Sequence, residues 1–238
     1  RDKEAMRKFL LYVDHNVGPI YLISANARVS SDTSFSYGYE AKVREVFATN
    51  IYGVLNTILP IIPRMKYRKN GQIAIMSSMA SFRGFAGADA YCASKAGIRI
   101  YGEALRNELC HQKVGVSVIC PGFVESRITD ANKFKMPFMI KADKAAKIIA
   151  HGLAKNKSRI AFPFIVYFFM WLLGTLPPAW TDRILAKAPR KRSYSNYQPR
   201  RTYHQRSDYT QTRQTSANDA NYQEQETTPD HSYDDNQQ

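Results

Sequence analysis

Residues Ala90 to Gly97 read AYCASKAG, which places Tyr91 and Lys95 four positions apart in a run of small side chains. On a helix, positions i and i+4 share a face. An ammonium beside a phenol favours phenolate and draws down a pKa that starts near 10, making the tyrosine a usable general acid or base near neutral pH. Tyr and Lys at this spacing also occur on ordinary exposed helix turns. The meaning of the pair therefore rests on what neighbouring segments bring to it.

Working outward, the pair opens a helix predicted over residues 90–112, and it is preceded by the apolar run QIAIMSS, a buried strand ending at Ser77 and Ser78. Before that strand, Val43, Phe47, Ile51, Val54 and Ile58 mark one face of a helix over 40–67, and GPIYLISANA gives an earlier strand ending near Ala25. Ala5, Met6, Phe9, Leu10 and Val13 place a helix at 2–13. Downstream, VGVSVIC is a third strand ending at Pro121, residues 142–153 a further helix and SRIAF a short fourth strand. Strands rich in Ile, Val and Ala alternating with long helices imply right-handed crossovers and a parallel sheet covered by helices on both faces. Ligands in such folds bind beyond the carboxyl ends of the strands, so the loops after Ala25, Ser77 and Cys120 are the ones to search.

The chain has 238 residues, a formal net charge of +14 and 44% hydrophobic residues, enough for one domain with a substantial core. Cys92, Cys110 and Cys120 lie in or beside apolar runs without metal-ligand spacing. They read as buried reduced thiols of an intracellular, cytoplasmic protein, and no metal site is expected. No opening segment has the pattern of a secretory leader. Residues 189–238 turn abruptly to Gln, Asn, Ser, Thr, Asp, Arg and Tyr, a composition expected to stay disordered. This tail holds seven Lys and Arg against seven Asp and Glu, so the whole positive excess belongs to residues 1–188. Within the tail the basic residues come first and the acidic ones last; a solvated disordered segment is the preferred reading over a nucleic-acid or anionic-membrane role for the basic half, and no nucleic-acid partner is expected.

Ser78 adds a hydroxyl able to hydrogen-bond an oxygen that gains charge during hydride transfer. Asn50, in TNIYG, is a poor helix former placed inside a helix, suited to holding a water that links Lys95 to solvent. Asn50 with Gly53, the Ser77–Ser78 pair, Tyr91-x-x-x-Lys95 and the turn Pro121-Gly122-Phe123-Val124 follow one another in the order and spacing of the short-chain dehydrogenase/reductase family, which residues 1–163 resemble. The resemblance implies a Rossmann-like, doubly wound α/β fold and hydride transfer between NAD or NADP and a carbonyl or alcohol. By the same resemblance Ser78 orients the substrate oxygen, Tyr91 exchanges the proton, Lys95 binds the nicotinamide ribose and Asn50 completes a proton relay. Asn26, Ala27, Pro121, Gly122, Val124 and the hydroxyl of Ser126 would join Tyr91 and Lys95 in holding the cofactor. The helices carrying Asn50 and Tyr91 would pack against a second subunit, giving a homodimer or homotetramer.

Three departures stand against this pattern. The family opens with a strand, a glycine-rich turn and a helix that receives the cofactor pyrophosphate, whereas this sequence opens at RDKEAM, as if ~60 residues and three strands were missing from a complete dinucleotide fold. The family's Asn-Ala-Gly becomes Asn26-Ala27-Arg28, and Tyr21 stands where an Asp is common. Either the chain is a piece of a longer enzyme or its gene has decayed. The expectation is that the chain alone has little or no dehydrogenase activity. The alternative is a non-catalytic, membrane-associated remnant that acts as a binding protein.

Residues 164–176, FIVYFFMWLLGTL, are uncharged and apolar nearly all round, flanked by Lys155, Lys157 and Arg159 before and Arg183, Lys187 and Arg190 after. Thirteen residues are too few to span a bilayer, and Pro163 interrupts an extension backwards. The segment, with residues 164–188 as a unit of its own, fits a core or subunit-interface helix, a helix lying on a membrane through residues 160–180, or a span. A membrane-facing helix would suit a hydrophobic substrate.

Overall fold

The alternation of buried residues along the second strand organises the molecule. In the computed structural model, which describes residues 2–30, 38–125, 136 and 138–185, the strand β2 (Gly71–Met76) turns Ile73 and Ile75 to one face and Ala74 and Met76 to the other, and all four are buried. A strand buried on both faces needs a layer on each. The first face packs with Ile23, Val54, Ile58, Ile61, Met65, Ile98 and Leu109, and the second with Ala145, Ile160 and Phe162.

Four parallel strands lie in chain order, β1 (Leu22–Ala25), β2, β3 (Val114–Pro121) and β4 (Arg159–Phe162). Their registers run from Leu22 opposite Gln72, Ile73 opposite Val116, and Ile119 opposite Ile160. Helix α1 (Lys3–Tyr12) starts at Asp2, whose carboxylate accepts from the Ala5 N–H at 2.9 Å. The β1–β2 crossover is one helical run in pieces: α2 (Tyr39–Phe47), a π turn (Ala48–Tyr52), α3 (Gly53–Ile58) and α4 (Ile62–Arg68). Helix α5 (Asp89–Leu109) links β2 to β3, and α6 (Ala142–Ala154) links β3 to β4. After β4 come α7 (Phe164–Thr175) and α8 (Pro178–Leu185). This is the parallel, two-faced α/β architecture expected from sequence, and all described residues belong to one compact unit. The predicted tail and Ser126 lie outside the described residues.

Three expectations are corrected. The buried stripe of the β1–β2 run is Val46, Asn50, Val54, Ile58, Ile61 and Met65, while Val43, Phe47 and Ile51 are half-buried. The π turn inserts a residue and rotates everything before it, so a stripe read at uniform helical period drifts off the core. Cys92 and Cys120 are buried free thiols, but Cys110 is exposed because α5 ends just before it. Finally, α7 is not a core helix: none of its residues is buried. The run Tyr39–Arg68 is the one described stretch long and apolar enough to cross a membrane, and its buried stripe is spent on the sheet.

Candidate active site

Beyond the carboxyl end of β2 the chain turns at Ser77 and Ser78. The Ser77 hydroxyl is buried and donates to the Lys95 carbonyl at 2.8 Å, which ties the strand end to the second turn of α5. Ser78 caps a short 3₁₀ turn, Met79–Ser81, accepting from the Ala80 N–H at 3.2 Å. The Ser78 hydroxyl also lies near enough to half-buried Tyr91 to favour its phenolate. The twelve-residue loop 77–88 thus returns this hydroxyl towards the phenol.

Lys95 is fully buried. Its ammonium donates to the Met76 carbonyl at 2.9 Å and lies 6.0 Å from the Tyr91 ring centroid. Burial drives its pKa down to about 8, with the charge of Arg28 pushing the same way. Burial also raises the Tyr91 phenol above its ordinary value, opposed by the nearby Ser78 hydroxyl and by the charge of Arg28. The i, i+4 spacing of Tyr91 and Lys95 predicts that the lysine pulls the phenol down. In the folded site dehydration wins, because the ammonium is turned to a backbone carbonyl and is itself poorly solvated.

Asn50 occupies the π turn and is fully buried. Its side-chain oxygen accepts from the Val29 N–H at 2.9 Å, and its amide donates to the Val29 carbonyl at 3.0 Å and to Ser94 Oγ at 3.0 Å. Ser94 in turn donates to the Tyr91 carbonyl at 2.8 Å. Asn50 therefore clamps the loop after β1 to α5. Replacing it with alanine removes three hydrogen bonds, two of them to the half-buried backbone of Val29, and is expected to destabilise the fold by about 3 kcal/mol, read as a thermal-melt shift. A melt within error of wild type would refute the clamp.

The remaining residues are distributed unevenly. Pro121 ends β3, and the Gly122 N–H donates to the Phe162 carbonyl at 2.8 Å, joining this turn to β4. A Cβ on Gly122 would meet Pro163 Cδ at 3.2 Å, so the turn has little room for a side chain. Val124 bridges to Ile140. Asn26 and Ala27 are exposed just past β1. Tyr21 lies under the Arg68 guanidinium, 5.6 Å from its ring centroid, so the place of the common Asp holds a cation–π partner.

Residues 1–136 match the short chain dehydrogenase family. The chain belongs to that family. It is 36% identical over 152 residues to an uncharacterized oxidoreductase of Myxococcus xanthus, covering 64% of this chain and 60% of that protein. It is 32% identical over 128 residues to an acetoacetyl-CoA reductase of a Synechocystis species, covering 54% and 53%. The chain thus spans about 60% or less of these two relatives. The fold is shared with a gluconate 5-dehydrogenase from Burkholderia cenocepacia, solved with NADP and tartrate, at TM-score 0.61 and 16% identity over 67% of this chain and 68% of that one.

Two contributors escape the short-chain dehydrogenase motif reading. Ser94 sits inside Tyr91-x-x-x-Lys95 at a position the motif leaves free, and only its i−3 spacing to Tyr91 hints at a backbone bond. Arg28 reads as a misfit at a glycine position, yet its charge reaches both Tyr91 and Lys95.

Proposed function

We propose that this protein is an oxidoreductase that transfers hydride between NAD or NADP and a small carbonyl or alcohol, with Tyr91 as the proton donor or acceptor. The observation that carries the reading is the convergence of Ser78, Tyr91 and buried Lys95 beyond one strand end. A nicotinamide cofactor supplies the hydride when bound. Lys95 uses one N–H on Met76 and keeps two more, a donor set that suits ribose hydroxyls. The turn of Pro121, Gly122 and Val124 is the segment that would face the carboxamide, and Asn26 and Ala27 lie open to solvent at the neighbouring strand end. Ser78 donates to the substrate oxygen, and Tyr91 passes its proton to that oxygen as negative charge develops. The outward Tyr52, Leu59 and Ile100 support pairing of the crossover run and α5 with a second copy.

The test uses the protein as its own cells make it, with NADH and NADPH against a panel of ketones and aldehydes. Consumption of reduced nicotinamide that needs a carbonyl substrate, by a species of twice the protomer mass, is expected. No turnover with any substrate, and no cofactor binding by calorimetry, would overturn the reading in favour of a binding protein.

A further inference from the structure

Helix α7 presents Phe164, Ile165, Phe168, Phe169, Trp171 and Leu172 to solvent, and Phe164 is 73% exposed. Positions 164, 165, 168, 169 and 172 form one face at helical spacing. The opposite side is anchored: Tyr167 packs edge-on against Phe82 with centroids 5.6 Å apart and accepts from Arg159 at 3.0 Å. A Cβ on Gly174 would stand 2.5 Å from the Phe82 carbonyl oxygen, so the helix is seated directly on backbone. Arg83 holds the following turn by donating to the Leu176 carbonyl at 3.1 Å and to the Thr181 hydroxyl. The apolar face is therefore a fixed surface feature and cannot turn inward.

Beside it lies a cleft of about 360 Å³ lined by Lys144, Lys147, His151, Lys157 and Arg159. Arg159 ties the cleft to the seated side of α7, since it lines the cleft, bonds Tyr167 and is ion-paired with Glu103, so the cations the cleft turns to an anionic surface are its lysines. An aromatic-rich face next to cationic side chains is the pattern of a helix that lies in the headgroup layer of an anionic bilayer. Twelve residues are too short to cross one. A second copy docking here would bring its own Lys144, Lys147 and Lys157 against these, a like-charge arrangement that weakens pairing.

We propose that α7, with Trp180 of α8, docks the protein onto the surface of an anionic membrane. The aromatic face sits among the acyl chains near the headgroups, and the lysines of the cleft face lipid phosphates. The reading is independent of the catalytic proposal.

The chain carries its own probe: its two tryptophans are Trp171 of α7, 45% exposed, and Trp180 of α8, 71% exposed. On vesicles of phosphatidylcholine mixed with phosphatidylglycerol, tryptophan emission is expected to shift to the blue and the protein to sediment with the lipid; on phosphatidylcholine alone binding falls at least tenfold. The double variant Phe168→Ser, Phe169→Ser is expected to lose vesicle binding, and Lys144→Glu, Lys147→Glu to weaken it by roughly tenfold or more. All four positions are exposed, so the thermal melt should stay unchanged. Unshifted emission on anionic vesicles would overturn the proposal. So would loss of self-association in the Phe variant without any vesicle dependence, which would assign the face to a second copy.

Discussion

Lys95→Met is expected to raise the melting temperature at pH 7 by roughly 4 to 8 °C while abolishing turnover. The folded site holds this side chain fully buried, with a pKa of about 8 against 10.5 in the open chain. The folded-state value is depressed, so burying the ammonium destabilises the fold fully below pH 8. Between pH 8 and about 10.5 the unfolded chain keeps a proton that the folded chain releases, and stability rises with pH. That depression corresponds to about 3 kcal/mol. Methionine removes that penalty but strands the Met76 carbonyl, a loss of about 1 kcal/mol, leaving a gain of about 2 kcal/mol. Thermal melts at pH 7 and pH 9.5 check this: the wild type should gain stability across the interval and the variant should not. A variant that melts lower at pH 7 would show that the lysine stabilises the fold. A group that weakens the fold and cannot be spared by the proposed chemistry fits the exchange of stability for activity at working sites.

Much of this site could be read from residues 90 to 97 outward because its parts obey short-range rules. The i, i+4 spacing puts Tyr91 and Lys95 on one face, and the apolar runs ending at Ser78 and Pro121 put loops at the strand ends where ligands bind. What escaped reading depends on contacts distant in sequence. Asn50 pairs with Val29, 21 residues away, and the π turn that aims it has no periodic signature. Arg28 looks like a lost glycine until the fold brings its charge within electrostatic reach of Tyr91 and Lys95. For α7, hydrophobicity told that the segment would avoid charge but not which partner its face would meet, since core, interface and membrane helices share that composition. The solvent exposure of the face decided against the core.

The second large effect concerns the phenol. Tyr91→Phe deletes one hydroxyl and keeps the ring, so the fold should lose no more than about 1 kcal/mol while carbonyl reduction drops by at least ~1,000-fold. Survival of the rate within tenfold would remove Tyr91 from the chemistry. The pH profile of the wild type gives a sharper test. Burial raises the phenol above its ordinary value, so it stays protonated through neutral pH. Carbonyl reduction, which uses the phenol as acid, should be level there and fall only on the alkaline side; alcohol oxidation should rise over the same alkaline limb. Arg28 opposes that rise in pKa through its positive charge, and it also lowers Lys95. Arg28→Gly, which restores the family's residue, should therefore move the alkaline limb of reduction to higher pH without removing activity. Because the Val29 backbone that follows is held by Asn50, the loop should keep its place when the side chain is removed, and the displacement of the limb reads the guanidinium charge itself. An unmoved limb would mean that Arg28 does not act on the proton transfer.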